Sequence, residues 1–163
     1  MNYLPVFLSL KARRALVVSG GHVTARKVDS LLKAGARVTV VAPRLLPQLA
    51  QRAAAGDLEH LPTQFSPAQL EGAALAVAAT DEAEVNVAVS RAAQQRQVPV
   101  NVVDQPALSS FIFPAIIDRS PLVVAVSSAG SSRCWRGVCA PRSRRCCRQG
   151  SVRSRVSCRN AAR

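Results

Sequence analysis

The fold is decided by residues 15–41, which read ALVVSGGHVTARKVDSLLKAGARVTVV. Ala15–Val18 is a continuous apolar run typical of a buried strand, and Ser19-Gly20-Gly21 ends it. His22–Ala34 then has helical character, and Ala36–Val41 is a second apolar strand. Strand, helix and strand within so short a stretch predict a βαβ unit, in which the two strands lie parallel.

The rest of the chain continues this alternation. Apolar strands that alternate with helices predict an α/β fold, an open doubly wound parallel sheet covered by helices on both faces. Phe111–Phe113 and Leu122–Val126 are β-prone runs that either pair as a hairpin or extend the sheet. The further predicted elements are a helix at Leu45–Ala55, a strand at Leu58–Leu61, a helical turn at Pro67–Glu71, a strand at Leu75–Ala79, a helix at Glu82–Arg96 and a strand at Val100–Val103.

Charge is distributed unevenly along the 163 residues. The whole chain carries +13, which suggests a nucleic-acid partner, but residues 132–163 hold ten Arg, no acidic residue and all five Cys. Residues 1–131 therefore carry only +3 and are typical of one globular domain without a specific nucleic-acid partner. Residues 1–131 contain no Cys, Met1–Leu10 is not a signal peptide, and no apolar run is long enough to span a membrane. These features predict a soluble cytoplasmic protein without a membrane partner.

The glycine turn after the first strand is the candidate phosphate site. Glycine allows backbone N–H groups to approach a pyrophosphate, and the following helix directs its positive end at the negative charge. Against the pattern G-x-G-x-x-G/A only Gly21 matches, with Ser19 and Thr24 at the outer positions. The residues alone thus leave two interpretations, a dinucleotide site or a glycine turn that only joins a strand to a helix.

Two other strand ends carry candidate site residues. The second strand ends without the usual acidic residue, and Arg44 there either favours a 2′-phosphate or is a solvated residue at a helix start. Asp104 directly follows the strand at Val100–Val103, so it is either a proton-transfer group or a turn-forming Asp. His22 and His60 have no metal-ligand spacing, and a permanent metal site is not expected.

Several motifs together make the chain resemble the N-terminal module of siroheme synthase, the bifunctional precorrin-2 dehydrogenase and sirohydrochlorin ferrochelatase. The resemblance covers residues 1–131. The motifs are Leu4-Pro5-Val6-Phe7, the glycine turn with Val23 and Arg26-Lys27, Ala34-Gly35-Ala36, Ala78-Ala-Thr-Asp81 with Asn86, Asn101-Val-Val-Asp104, Ser110-Phe-Ile-Phe-Pro-Ala-Ile-Ile-Asp-Arg-Ser-Pro121 and Val124-Ala-Val-Ser-Ser128.

This resemblance implies a Rossmann-like fold and an activity. NAD would lie across the glycine turn, and Asp104 would be the catalytic base in oxidation of precorrin-2 to sirohydrochlorin. The same aspartate would take protons as Fe²⁺, a substrate rather than a bound cofactor, enters the ring to give siroheme. Ser128 matches a serine that can be phosphorylated, and Arg119 either holds substrate carboxylates or forms an ion pair with Asp118 or its neighbours. The implied cofactor-binding residues are Gly20, Gly21, His22, Val23, Pro43 and Arg44.

The resemblance also implies a domain division and a homodimer. An NAD-binding domain would cover residues 1–113, and residues 114–131 would begin a dimerisation and substrate segment. Ser19 and Thr24 replace the Gly and Ala that the family carries, so reduced NAD affinity is expected.

Residues 132–163 depart from the family pattern and make dimerisation of this chain doubtful. These residues are rich in Arg, Cys and Ser, include a Trp and contain no acidic residue, which is the composition that GC-rich DNA gives when it is read out of frame. Restoring one base before the codon for Arg133 gives a Pro-Val-Leu-Ala-Arg stretch, so we hypothesise a one-base deletion or a sequencing error near the codon for Ser132. A disordered basic extension and a Cys/Arg nucleic-acid module are the other interpretations. Two functions follow, the active enzyme and a catalytically impaired NAD-binding domain that lacks a proper dimerisation segment.

Overall fold

The computed structural model describes residues 3–127, which form two compact units divided between Phe113 and Pro114. The first unit is built on a five-stranded parallel sheet with the strand order β3-β2-β1-β4-β5. Its elements are β1 (Arg14–Val18), α1 (His22–Lys33), β2 (Arg37–Val41), α2 (Pro47–Ala54), β3 (Leu58–Leu61), a 3₁₀ helix at Pro67–Leu70, β4 (Ala73–Ala78), α3 (Ala83–Gln95), β5 (Val100–Val102) and a second 3₁₀ helix at Pro106–Leu108.

This strand order confirms the predicted α/β class and the parallel βαβ unit. Chain order is reversed at β1, because β2 and β3 lie on one side of it and β4 and β5 on the other. All five carboxyl ends lie at one edge of the sheet, where open α/β sheets bind ligands next to the point of reversal.

The two faces of the sheet bury separate apolar clusters. Val17 of β1 packs in a cluster with Val28 and Leu31 of α1, whereas Leu16 packs with Val89 of α3. Each of these fully buried side chains stabilises the fold by roughly 1.5–3 kcal/mol relative to exposure. Helices on both faces explain why β4 is apolar throughout and β1 is apolar from Ala15 onward, instead of alternating with polar residues.

The ends of the helices and strands predicted between Ala15 and Val103 agree with the structure to within two residues. The two largest differences are at α2, which begins at Pro47 instead of Leu45, and at β4, which begins at Ala73 instead of Leu75. Leu45 and Leu46 are extended away from the helix because the backbone N–H of Leu46 donates to the carbonyl oxygen of Gly20 (3.0 Å).

The prediction of a strand at Phe111–Phe113 was wrong. These residues form no strand, because the Phe111 and Phe113 rings, with centroids 5.3 Å apart, pack against the apolar cluster on the α1 side. The Nζ of Lys27 also lies 3.9 Å from the centroid of the Phe113 ring.

The second unit is an antiparallel hairpin, but its strands are not the two runs that were expected to pair. Leu122–Val126 (β7) pairs with β6 (Ala115–Arg119), a strand that was not predicted, and not with Phe111–Phe113. Ser128 and the Arg- and Cys-rich residues 132–163 lie outside the described residues. Between residues 3 and 127, no helix is long and apolar enough to cross a membrane.

Candidate functional site

The turn after β1 adopts a backbone conformation that favours glycine. Ser19 has a φ of +135°, in a region that L side chains rarely adopt. Its backbone N–H continues the sheet by donating to the carbonyl oxygen of Val41 (3.1 Å), and its Oγ accepts a hydrogen bond from the N–H of Gly21 (3.2 Å). The Ser19 hydroxyl therefore engages one of the N–H groups that a phosphate would use.

Gly20 is required by a contact that the sequence pattern does not show. A Cβ built on Gly20 would overlap the backbone carbonyl oxygen of Arg44, while the Gly20 carbonyl accepts from Leu46. The turn after β1 and the segment leading into α2 thus interlock through backbone atoms. A Cβ on Gly21 would instead meet only the Ser19 Oγ, at 3.6 Å.

The N-terminus of α1 is suited to a phosphate. Its N-cap, Gly21, provides no side-chain cap, and the first turn of the helix carries no acidic residue. His22 and Val23 are exposed there. The backbone N–H groups and the helix dipole of the first turn are thus open to an anion, and these residues fit a dinucleotide pyrophosphate.

Thr24 is an unusual residue in this turn. Its side chain is fully buried, and Oγ1 has no hydrogen-bond partner among the described residues. A buried hydroxyl without a partner costs about 1–3 kcal/mol. The two outer positions of the G-x-G-x-x-G/A pattern thus each carry an unfavourable feature. Ser19 has a positive φ, and Thr24 has a buried hydroxyl without a partner among the described residues.

Pro43 and Arg44 lie at the end of β2 and are exposed. In a sheet of this order, the adenosine half of a dinucleotide lies on the β2 side of the pyrophosphate. His60 of β3 lies beside them, with Nε2 2.9 Å from the carbonyl oxygen of Ala42. His60 is therefore engaged with the end of β2.

Asn86 of α3 shapes the end of β4. Its side chain is buried, with Nδ2 donating to the carbonyl oxygen of Thr80 (2.9 Å) and Oδ1 accepting from the Thr80 hydroxyl (3.0 Å). Asn86 was predicted only as part of a motif, and the structure shows that it fixes the β4–α3 turn.

Asp104 is exposed and follows β5 at the same sheet edge. Its φ is +60°, a left-handed conformation that Asp adopts more readily than most residues, and the N–H of Gln105 donates to the Val102 carbonyl oxygen (3.2 Å) across it. The residue is therefore part of a turn and also faces solvent. Since β1, β4 and β5 are consecutive, this turn lies about 10 Å from the turn after β1.

The other predicted site residues lie elsewhere or are not described. Arg119 is exposed on the hairpin, and the Asp118 carboxylate accepts from the backbone N–H (3.0 Å) and hydroxyl (2.9 Å) of Ser120. The structure records no ion pair between Arg119 and Asp118, both described residues. Ser128 lies outside the described range. Within that range, no group of three or more His, Cys, Asp or Glu residues could hold a metal ion.

The fold and the turn after β1 define a dinucleotide-binding α/β module. A family model described as "Putative NAD(P)-binding" matches residues 6–115, and the chain belongs to this family. It is similar to the siroheme synthases of Methylobacillus flagellatus (59% identical over 132 residues) and Chromobacterium violaceum (56% over 131 residues). These alignments cover 81% and 80% of this chain, which spans about 28% of the length of each relative.

A solved structure is also similar to this chain. The structure titled "SirC, precorrin-2 dehydrogenase" matches with a TM-score of 0.73 and 27% identity, over 86% of this chain and 69% of that one. The motif-based resemblance to the N-terminal module of siroheme synthase is therefore confirmed. The roles of the individual site residues stay predictions.

Proposed function

We propose that this chain is an NAD-dependent dehydrogenase that oxidises precorrin-2 to sirohydrochlorin. The observation that carries the proposal is the location of Asp104, an exposed carboxylate in the turn that follows β5. This turn lies at the same edge of the sheet as the N-terminus of α1, which is open to an anion. The similarity to a precorrin-2 dehydrogenase supports the choice of substrate.

The proposed cofactor site uses mostly backbone atoms. Gly21, His22 and Val23 would offer N–H groups to the pyrophosphate, with Gly20 allowing the close approach of the Arg44 segment. Pro43 and Arg44 would contact the adenosine half. NAD supplies a hydride acceptor when bound. Titration with NADP beside NAD tests whether the exposed Arg44 guanidinium favours a 2′-phosphate.

Asp104 is the proposed general base. Oxidation of precorrin-2 removes a hydride and a proton, so the proton needs an acceptor near the ring once NAD⁺ has taken the hydride. An exposed carboxylate at the site edge can take that proton and release it to water. Asp104 is exposed in the left-handed turn after β5, so a large ring could approach its carboxylate.

The second proposed activity is insertion of Fe²⁺ into sirohydrochlorin to give siroheme. Iron enters as the substrate and displaces two pyrrole N–H protons, which the same carboxylate can accept one after the other. We also propose a location in the cytoplasm, with Arg119 binding ring carboxylates. The homodimer that the resemblance implies depends on the segment after residue 131, where this chain departs from the family pattern. Phosphorylation of Ser128 would add negative charge that repels a polyanionic tetrapyrrole.

The test is NADH formation from precorrin-2 by the full chain and by Asp104→Asn. Asparagine also adopts left-handed φ values, so the variant keeps the turn while losing the base. Turnover is expected to fall about 100-fold or more, with unchanged NAD affinity and unchanged stability. Equal turnover by the two proteins would exclude Asp104 as the base.

The composition of residues 132–163 favours a second candidate, a catalytically impaired NAD-binding domain. Ten Arg and no acidic residue are unlike the amphipathic helices that a dimerisation segment needs. A monomeric mass in solution, NAD binding and no NADH formation would together support it. The nucleotide sequence across codons 128–136 tests the frame change directly, since a tail encoded without a nearby insertion or deletion contradicts it.

A further inference from the structure

We propose that Ser109 is a positioning residue that fixes the turn carrying Asp104. This inference rests on the proposed function, because it concerns the proposed base of that reaction. Ser109 lies five residues after Asp104, directly after the short 3₁₀ helix at Pro106–Leu108. It was not among the residues that the sequence indicated.

The starting point is the outer edge of the sheet. β5 is the last strand of the parallel sheet in the described part of the chain, so its N–H and C=O groups on one side have no neighbouring strand there. Unpaired edge groups need other partners. Two consecutive serines provide them, since the N–H of Val102 donates to Ser109 Oγ (2.9 Å) and the N–H of Val100 donates to Ser110 Oγ (2.8 Å).

The two serines differ in what else they contact. Among residues 3–127, Ser110 Oγ forms hydrogen bonds with Val100 alone, whose carbonyl oxygen lies 3.3 Å away. Ser109 Oγ lies 3.1 Å from the Val102 carbonyl oxygen and 3.0 Å from that of Gln105. One hydroxyl therefore joins backbone groups on both sides of Asp104.

The Ser109 side chain therefore links the two ends of the turn that contains Asp104. The turn also contains the hydrogen bond from Gln105 N–H to the Val102 carbonyl oxygen, so Val102 and Gln105 are held both to each other and to Ser109. Ser90 of α3 adds a further contact, donating to the carbonyl oxygen of Leu108 (2.6 Å). Because Asp104 lies between Val102 and Gln105, the Ser109 hydroxyl determines where its carboxylate stands relative to the substrate.

The experiment uses the full chain and three variants, Ser109→Ala, Ser109→Thr and Ser110→Ala. Ser109 has an extended backbone (φ −105°, ψ 133°), which threonine accepts, so Ser109→Thr keeps the hydroxyl. Ser110→Ala removes a comparable hydrogen bond at the β5 edge without touching the Asp104 turn. It therefore controls for stability.

For Ser109→Ala we expect kcat for NADH formation to fall about 10-fold, with KM for precorrin-2 and NAD affinity unchanged, because misplaced reacting groups slow the chemical step. Ser109→Thr should restore kcat, and Ser110→Ala should keep the kcat of the parent chain. Parent-like kcat in Ser109→Ala, or an equal loss in Ser110→Ala, would overturn the proposal.

A second measurement separates this inference from the proposed function. Amide hydrogen exchange at Gln105 reports the Asp104 turn without any turnover, and it should be faster in Ser109→Ala but not in Ser110→Ala. If the parent chain forms no NADH, the proposed function fails, and this exchange decides whether Ser109 fixes the turn. Unchanged exchange at Gln105 in Ser109→Ala would overturn the inference.

Discussion

Two turns at the same edge of the sheet are built in opposite ways. Each follows a buried parallel strand, and each contains a non-glycine residue with positive φ, Ser19 after β1 (+135°) and Asp104 after β5 (+60°). The turn after β1 depends on a missing side chain, because Gly20 has backbone atoms of Arg44 against it. The turn after β5 depends on an added side chain, the Ser109 hydroxyl.

The difference corresponds to the two tasks that we propose for the site. A phosphate is bound best by backbone N–H groups, which need close approach and no intervening side chain. A reacting carboxylate needs a fixed orientation, which hydrogen bonds to its neighbours provide. The charged residues at the strand ends also differ, because exposed Arg44 follows β2 whereas exposed Asp81 and Asp104 follow β4 and β5.

The largest expected effect in the turn after β1 is from Gly20→Ala. The added Cβ overlaps a backbone carbonyl oxygen, which cannot rotate away as a side chain can. We expect the free energy of unfolding in urea to fall by roughly 3 kcal/mol, at the upper end for overpacking.

Gly21→Ala is the matched control, since its Cβ would make only an ordinary contact with Ser19 Oγ (3.6 Å) and Gly21 has an ordinary extended φ of −86°. It should change the free energy of unfolding by less than about 1 kcal/mol. Equal destabilisation by the two alanines would mean that the contact with Arg44 does not determine the need for glycine at position 20.

A smaller effect is expected from the backbone of Ser19. Ser19→Gly and Ser19→Ala both remove the hydroxyl that accepts from Gly21, but only glycine relieves the positive φ. Chemical denaturation should therefore find Ser19→Gly more stable than Ser19→Ala by about 1 kcal/mol.

Ser19→Gly should also bind NAD more tightly than the parent chain, because the Gly21 N–H is released and no Cβ stands at the turn. Calorimetric titration with NAD measures this difference. Identical NAD affinities would remove the basis for calling this turn a weakened cofactor site.

The sequence predicted the sheet and the glycine turn because both depend on local patterns. Apolar strands such as Ala15–Val18 are continuous since helices cover both faces, and the turn contains glycine where the backbones approach. Phe111–Phe113 was misjudged because aromatic residues favour strands, while here their rings pack into the core.

The missed features depend on contacts between distant segments. The need for glycine at position 20 comes from Arg44, which is 24 residues away along the chain, and no spacing rule shows it. Ser109 resembles any loop serine until β5 is known to be the edge strand. Asp104 was found because it directly follows an apolar strand, a signal that is local.

The central claim is that the turn after β1 binds the cofactor and the turn after β5 carries the chemistry. The most direct test is to titrate NAD into Gly21→Ala and Asp104→Asn beside the parent chain. The claim predicts at least about tenfold weaker NAD binding, 1.4 kcal/mol, for Gly21→Ala and parent-like binding for Asp104→Asn. Parent-like binding by Gly21→Ala, or an equal loss in both variants, would contradict it.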